Sequence, residues 1–341
     1  MNLPFVVIFT ALKILVILVV FLTAIAYTVL MERKVLGFIQ LRYGPNRVGP
    51  WGLLQPLADL LKLLFKEDFT PPGVNRVLFT MAPIITAVTA FMPFAVIPFA
   101  RTLLPDYFYF YGFKIDLTAA GLNQGVIADI NVGLLYVFAM GSLAVYGAVL
   151  GGWASNNKYS LLGGLRLSAQ MVSYELALGL SIIGVLMLAG SLSLVKIVEA
   201  QQNMWFVIYQ PLGFILFLTA AFAECARTPF DLIECENELV AGYQTEYSSM
   251  KWALFMLGEY CHIIVASALA TTLFLGGWQG PWLPPIVWFV IKTFVLVFCF
   301  IWVRGTFPRF RFDQLMYLGW KVLLPLSLLN ILATGLVVLI L

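Results

Sequence analysis

The sequence predicts an all-α, polytopic membrane protein, and three observations predict it. Of its 341 residues, 62% are hydrophobic and 11% charged, against about 25% charged in an ordinary soluble domain. Mean hydropathy is +0.95. Eight stretches approach the roughly 20 apolar residues that cross a bilayer: about 5–30, 77–100, 126–150, 167–190, 204–223, 252–276, 285–303 and 321–341. So few charges cannot cover a soluble surface, and the chain reads as one integral membrane domain over 1–341. The net charge of +3 is too small and scattered to suggest nucleic-acid binding.

The first stretch starts too near Met1, and runs too long, for a cleaved signal peptide. After it, WGLLQPLADLLKLLFK at 51–66 sets Leu53, Leu54, Leu57, Leu61, Leu64 and Phe65 on one helical face, with Gln55, Asp59, Lys62 and Lys66 on the other. This is an amphipathic helix for the membrane interface, too short to cross. It reads as a surface anchor or as the wall of a cavity at the membrane surface. In the second stretch Pro83, Pro93 and Pro98 should kink the helix or end it early. Loops one, three, five and seven hold 15 of the 20 Lys and Arg, the even loops three. The bias sets the odd loops in the cytoplasm and, with eight spans, both termini outside. No internal repeat is visible, which disfavours an inverted-repeat transporter.

Rare residues narrow the chemistry. The one histidine, His262, cannot supply a bis-histidine haem. Cys225, Cys235, Cys261 and Cys299 have neither CxxC nor ferredoxin spacing and read as small apolar filler. A metal site and an iron–sulfur cluster are therefore not expected in this chain, and no GxGxxG turn or Walker A loop is present. If redox chemistry is involved, the electron carriers belong to partners.

An ionisable residue inside a span costs about 2.5 kcal/mol or more and calls for a reason. Glu175 in the fourth span reads as a proton site or cavity lining. Glu259 and His262 share a face of the sixth by their spacing. Asp129 begins the third and reads as a solvated cap. Lys13 can snorkel, whereas Lys292 lies too deep to do so easily. The densest feature is the loop 224–250, where Glu224, Asp231, Glu234, Glu236, Glu238 and Glu246 crowd into 23 residues with Arg227 as their one base. Phe230, Leu232, Ile233, Leu239 and Val240 are interleaved, so the stretch reads as a folded, partly buried carboxylate group rather than a solvated tail. Crowded carboxylates cannot all ionise cheaply, which makes protons available for exchange. EF-hand spacing is absent.

ERKVLGFIQLRYGPNRVGPWGLLQPLADLLKLLFKE at 32–67, GGWASNNKYSLLGGLR at 151–166, SYE at 173–175, RTPFDLIECENELVAGYQTEY at 227–247 and PRFRFDQLM at 308–316 resemble the family of H-type membrane subunits of proton-pumping NADH:quinone oxidoreductase, respiratory complex I. The likeness covers nearly the whole chain, with loop 101–125 and the tail past about 330 matching only in hydrophobicity. It implies a component of a proton-translocating oxidoreductase that forms the membrane-side part of the quinone chamber and carries no redox centre, with FMN and iron–sulfur clusters in partner subunits. It further implies that Glu32, Arg33, Ala58 and Asp59 line the chamber and its entrance. Arg227, Phe230, Asp231, Glu234 and Glu236 would line the chamber and the start of an acidic path. Glu224, Glu175 and Glu259, with Glu238 and Glu246, would continue that path, and Arg304 and Arg309 would anchor facing loops. The partners implied are peripheral-arm quinone-site subunits, small membrane subunits, quinone and lipid. No transit peptide is visible; a bacterial cytoplasmic membrane is expected, with an organelle inner membrane or thylakoid as the other homes. A related component of a ferredoxin- or F420-linked complex or an energy-converting hydrogenase, and a secondary transporter, are the competing readings.

Overall fold

The computed structural model describes residues 3–103, 107–110, 113–116, 123–232 and 239–340. The chain folds into helices, as the composition predicts: α1 Leu3–Ile39, α2 Gln55–Phe65, α3 Arg76–Phe91, α4 Gly133–Ala154, α5 Lys158–Ala189, α6 Leu194–Ala200, α7 Phe206–Tyr209, α8 Pro211–Glu224, α9 Ser249–Phe274, α10 Pro285–Thr306 and α11 Phe312–Ile340. The last contains one π turn over Leu318–Leu323. Between α3 and α4 run short antiparallel ladders, β1 Ala100–Thr102 with β4 Gln124–Gly125, and β2 Tyr107–Phe110 with β3 Phe113–Asp116.

Among the described residues, seven helices are long and apolar enough to cross a membrane. The eighth stretch, 204–223, forms two pieces, α7 and α8. The break lies at Gln210, whose backbone leaves the helical region (φ −129, ψ 53). Pro211 follows; it has no N–H to give the preceding turn, and its ring would crowd that turn's carbonyl. At about 1.5 Å per residue, the 14 residues of α8 fall short of a full crossing. Side chains from α11 complete the gap. Gln210 donates to Thr334 Oγ1 at 2.5 Å and accepts from Asn330 Nδ2 at 2.9 Å, and all three residues are buried. These bonds satisfy the buried Gln210 amide and tie the break to α11, while the backbone at the break is met locally, by Gln210 N–H to the Phe206 carbonyl at 2.7 Å and Phe214 N–H to the Gln210 carbonyl at 3.0 Å.

The other boundaries follow local chemistry. α1 runs on past the apolar stretch, which puts Glu32 and Arg33 on its last turns. α3 gives way to a 3₁₀ turn at Met92–Ala95 that holds Pro93, while Pro83 sits within the helix. Asn75 caps α3, Asn157 caps α5 and Ser193 caps α6, each accepting a backbone N–H from the first turn. α2 has no fully buried residue and lies against α1 and α9.

α5 is central and packs on α4, α8 and α11, while α3 lies between α4 and α9. Small residues allow the close approaches. A Cβ on Gly147 of α4 would lie 2.1 Å from Thr86 Oγ1 of α3, and one on Gly258 of α9 would lie 2.9 Å from Thr86 Cγ2. A second core holds the residues just before α9: Tyr247 stacks on Phe79 at 4.1 Å, and Tyr243 and Tyr247 both meet Phe255 edge-on. Gly147→Ala should therefore force α3 and α4 apart, costing about 1–3 kcal/mol, and lower the yield of folded protein in membranes. Gly179→Ala, with nothing within 4 Å of the new methyl, should leave the yield unchanged or slightly raised.

Candidate functional site

The buried charges gather where α1, α8, α9 and α10 meet. Glu32 of α1 is 6% exposed; its carboxylate accepts from Arg304 of α10 and lies 3.8 Å from Arg227 Nη1. Arg227, just past α8 and 5% exposed, places Nε 2.7 Å from Glu259 Oε1 of α9. Its guanidinium also sits over the Tyr260 ring, 4.5 Å from the centroid. Two carboxylates and two guanidinium groups thus balance in an apolar interior. That balance is the condition for burying such groups, because an unpaired buried ion costs several kcal/mol.

Arg309, in the loop after α10, reaches Asp231 at 3.1 Å. The carboxylate side chain is 7% exposed and the guanidinium 40%, so this pair spans the step from loop surface to interior. Phe230 beside it is packing rather than open lining: it stacks on Phe310 at 5.5 Å and tilts against Tyr174 at 5.7 Å. Gln170 of α5 donates to the carbonyls of Ala223 and Phe230 and holds this turn onto the bundle.

On the outside of the cluster, Arg33 of α1 pairs with Asp59 of α2 at 2.5 Å, and Gln55 donates to the same carboxylate at 2.9 Å. This pair is partly exposed. Ala58, next to Asp59, is half-buried. Between α2 and the start of α9 opens a cleft of about 310 Å³, walled by Arg33, Asp59, Leu63 and Trp252 among others.

The deeper acids lie on the other side. Glu175 of α5 accepts from the Ser142 hydroxyl of α4. Glu224, the last residue of α8, is its electrostatic neighbour. Gly141, adjacent to Ser142, faces Glu224 so closely that a Cβ there would lie 3.2 Å from Oε1. α4 therefore touches both acids with consecutive residues. Glu246 is not in this set: it accepts from Asn157 Nδ2 at 2.7 Å, at the start of α5. Glu234, Glu236 and Glu238 lie outside the described residues. Among the described residues no group of three His, Cys, Asp or Glu could hold a metal ion.

The lone cations within the spans turn out to be fastened to backbone. Lys292 donates to the carbonyls of Leu275, Gly277 and Gln279 at 2.6, 3.2 and 2.6 Å, just past the C-terminus of α9, where a cation is favoured. Lys13 donates to Gln124 and Val126 at 2.9 and 2.7 Å. Asp129 accepts from Ser193. Glu259 and His262 diverge: Glu259 turns to Arg227, while His262 lines a small cavity with Glu224. Three residues turn a helix by about 300°, so the two point some 60° apart. Sequence reasoning missed the pairing of Arg304 with Glu32, the place of Tyr260 beneath Arg227, and Ser142; a lone serine in a Gly/Ala-rich span gives no signal of its own.

A multi-pass helical bundle with a balanced cluster of buried ions, opening towards an interfacial helix, defines a membrane component built around internal charge. Comparison with known proteins is specific. The profile of a family described as NADH dehydrogenase matches residues 12–335. The chain is 57% identical over 323 residues to the NADH-quinone oxidoreductase H subunit 1 of Geobacter metallireducens, covering 95% of this chain and 94% of that one. It is 58% identical over 323 residues to the NADH-quinone oxidoreductase H subunit 2 of Geobacter sulfurreducens, with the same coverage. It is 57% identical over 314 residues to the NADH-quinone oxidoreductase H subunit of Syntrophotalea carbinolica, covering 92% and 91%. The chain belongs to the NADH dehydrogenase family, among the H subunits of NADH-quinone oxidoreductase.

The cluster makes a graded prediction. Arg227→Met would leave Glu32 and Glu259 buried without their shared cation, at about 3–5 kcal/mol, and assembled complex on native gels should fall sharply. Arg33→Met breaks a partly exposed pair, costs less than about 1 kcal/mol, and should leave assembly near normal.

Proposed function

We propose that this chain forms the membrane-side part of the quinone chamber and the start of the acidic path that couples quinone reduction to proton translocation. That it is a membrane component of a proton-translocating NADH:quinone oxidoreductase follows from its family. The observation that carries the finer reading is Arg227 held between Glu32 and Glu259. FMN and the iron–sulfur clusters belong to partner subunits, and quinone is the substrate.

Reduction of a quinone takes up two electrons and two protons, so charge appears and is neutralised beside these residues. At about 4 Å and an effective dielectric near 20, one unit charge is felt at about 4 kcal/mol. Asp231 and Arg309 stand at the loop side, where such a change arrives first. Arg227 passes it on: protonating Glu259 would release the guanidinium towards Glu32, and loss of that proton would draw it back. Glu224 and Glu175 follow, with no guanidinium neighbour of their own among the ion pairs described. By motif position Glu234 and Glu236 complete the chamber side and Glu238 the path, with Glu246, held by Asn157, at its cytoplasmic margin. Phe230 fixes the turn that carries Asp231, and Arg304 and Arg309 anchor the facing segments. The cleft between α2 and α9, with Arg33, Ala58 and Asp59 at its edge, would serve as the entrance for the quinone tail.

Several measurements on the assembled complex, normalised to flavin, test this. Glu259→Gln and Asp231→Asn should each cut NADH:quinone reductase activity and proton pumping together, by at least about tenfold, or about 1.4 kcal/mol, while NADH oxidation by a soluble dye stays normal. Normal quinone turnover in both would end the proposal. Ala58→Trp should raise the KM for long-tailed quinones more than for short-tailed ones.

The Lys and Arg bias of the loops supports a topology. The home is proposed as a bacterial cytoplasmic membrane, multi-pass, with loop 31–76 inside and both termini outside; α7 and α8 together supply the remaining crossing. A cysteine placed at Gln202 should react with an impermeant reagent on intact cells, whereas one at Asn46 should react only after the membrane is opened. The reverse pattern would invert the orientation.

A further inference from the structure

A cavity of about 20 Å³ lies between α4, α5, α8 and α9, enough for one water molecule. Its walls are largely apolar. The titratable groups that line it are Glu224 and Cys225, from the end of α8, and His262 of α9. Cys261, next in the chain to His262, turns away and meets the Ala90 carbonyl at 3.1 Å. Glu175 reaches Glu224 electrostatically from α5, and its own carboxylate is taken by Ser142. Arg227 and Glu259 are engaged with each other.

Two features make the pair of Glu224 and His262 unusual. Both side chains open onto the same water-sized cavity, the Glu224 carboxylate from the end of α8 and the His262 ring from α9. A carboxyl and an imidazole that face one cavity with room for a single water have the arrangement that a water-bridged exchange requires. The second feature is Gly141: with a hydrogen in place of a methyl, it leaves space at Glu224 Oε1 that a Cβ at 3.2 Å would narrow.

We propose that His262 is the proton-exchange partner of Glu224, acting through one water held in this cavity. The proposal rests on reading Glu224 as part of the acidic path. The step balances without any other reagent. The carboxylic acid of Glu224 gives its proton to the water, which gives one of its own to the bare ring nitrogen of His262. One O–H bond breaks and one N–H bond forms, and a neutral pair becomes carboxylate and imidazolium. The reverse step resets it. Beside the balanced cluster of Arg227, this offers a second place where charge separates reversibly, on α9 three residues beyond Glu259.

The test uses assembled complex, with rates normalised to flavin. His262→Gln keeps hydrogen-bonding reach but cannot take up a proton at neutral pH. It should lower NADH:quinone reductase activity by about a hundredfold, the low end of what a proton-transferring group contributes, with dye reduction unchanged. The acid limb of the pH–rate profile, where His262 already carries its proton, should flatten. Adding His262→Gln to Glu224→Gln should cost nothing further, since both break one relay. Gly141→Ala, which leaves His262 in place and crowds the cavity, should slow turnover severalfold and keep the acid limb. A wild-type rate and acid limb in His262→Gln, with Glu224→Gln inactive, would overturn the role of His262 and leave the acidic path standing. Wild-type rates in Glu224→Gln as well would overturn the path itself. Should His262→Gln fail to assemble, an unchanged rate in Gly141→Ala would overturn the proposal.

Discussion

The bundle is organised around one guanidinium. Arg227 stands 5% exposed among apolar helices, which would be prohibitive for an isolated ion. It is tolerable because Glu259 lies at 2.7 Å, Glu32 at 3.8 Å and the Tyr260 ring beneath it. Those partners come from α1 and α9, and Arg304 from α10 balances the extra carboxylate. Four segments must therefore meet at one point or leave a buried charge bare. Apolar packing alone would not specify this meeting, since within a bilayer lipid tails are as apolar as leucine. The ions fix which helices touch and at what height.

The parts of the fold that were legible in the sequence are those set by composition and period. Long apolar runs gave the crossing helices, and the leucine pattern gave the amphipathic helix α2, which starts at Gln55 rather than at Trp51 because a 3₁₀ turn over Pro50–Gly52 precedes it. Breaks are harder to read. Nothing in 204–223 except Pro211 announces that the helix parts at Gln210, because the groups that hold the buried Gln210 amide there, Asn330 and Thr334, lie about 120 residues away. The candidate site divides in the same manner. Its residue types could be listed from the acidic loop and the buried charges, and Asp231 is indeed buried, as interleaved apolar residues suggested. Partnership could not. Glu259 and His262 share a helix face by spacing, but 60° of rotation sends one to Arg227 and the other to Glu224. Glu246, grouped with its neighbours in sequence, is bonded to Asn157 instead.

Charged residues in spans fall into two physical kinds here. Lys13 and Lys292 are held by backbone carbonyls at loop ends and helix termini. Each replaces water by fixed dipoles and needs no counter-ion, so each is a fastening. Glu32, Glu259, Arg227 and Arg304 answer one another, so a change in any one alters the field at the rest. A rule that treats every ionisable residue in a membrane as functional would have grouped Lys292 with Glu259. The hydrogen-bond partners separate them: Lys292 sits on fixed backbone carbonyls, whereas Arg227 lies between two carboxylates that can themselves change charge.

That difference bears on how coupling could work without a redox centre in this chain. A device that passes an electrostatic change along must have elements with two arrangements of similar energy. On the proposed path Arg227 would be such an element, since Glu32 and Glu259 both lie within reach of it and protonation of either would shift its balance between them. Buried Asp231 and the part-exposed Arg309 at the loop side would bias it from the proposed chamber. The acids beyond differ in kind. Glu175 and Glu224 rest on a hydroxyl and on a small cavity rather than on cations, so on the proposed path they would respond by taking up or giving away protons rather than by exchanging ion pairs. The change from balanced ions to unbalanced acids along one line of the bundle is what would turn a charge appearing at the quinone into a proton displaced within the membrane.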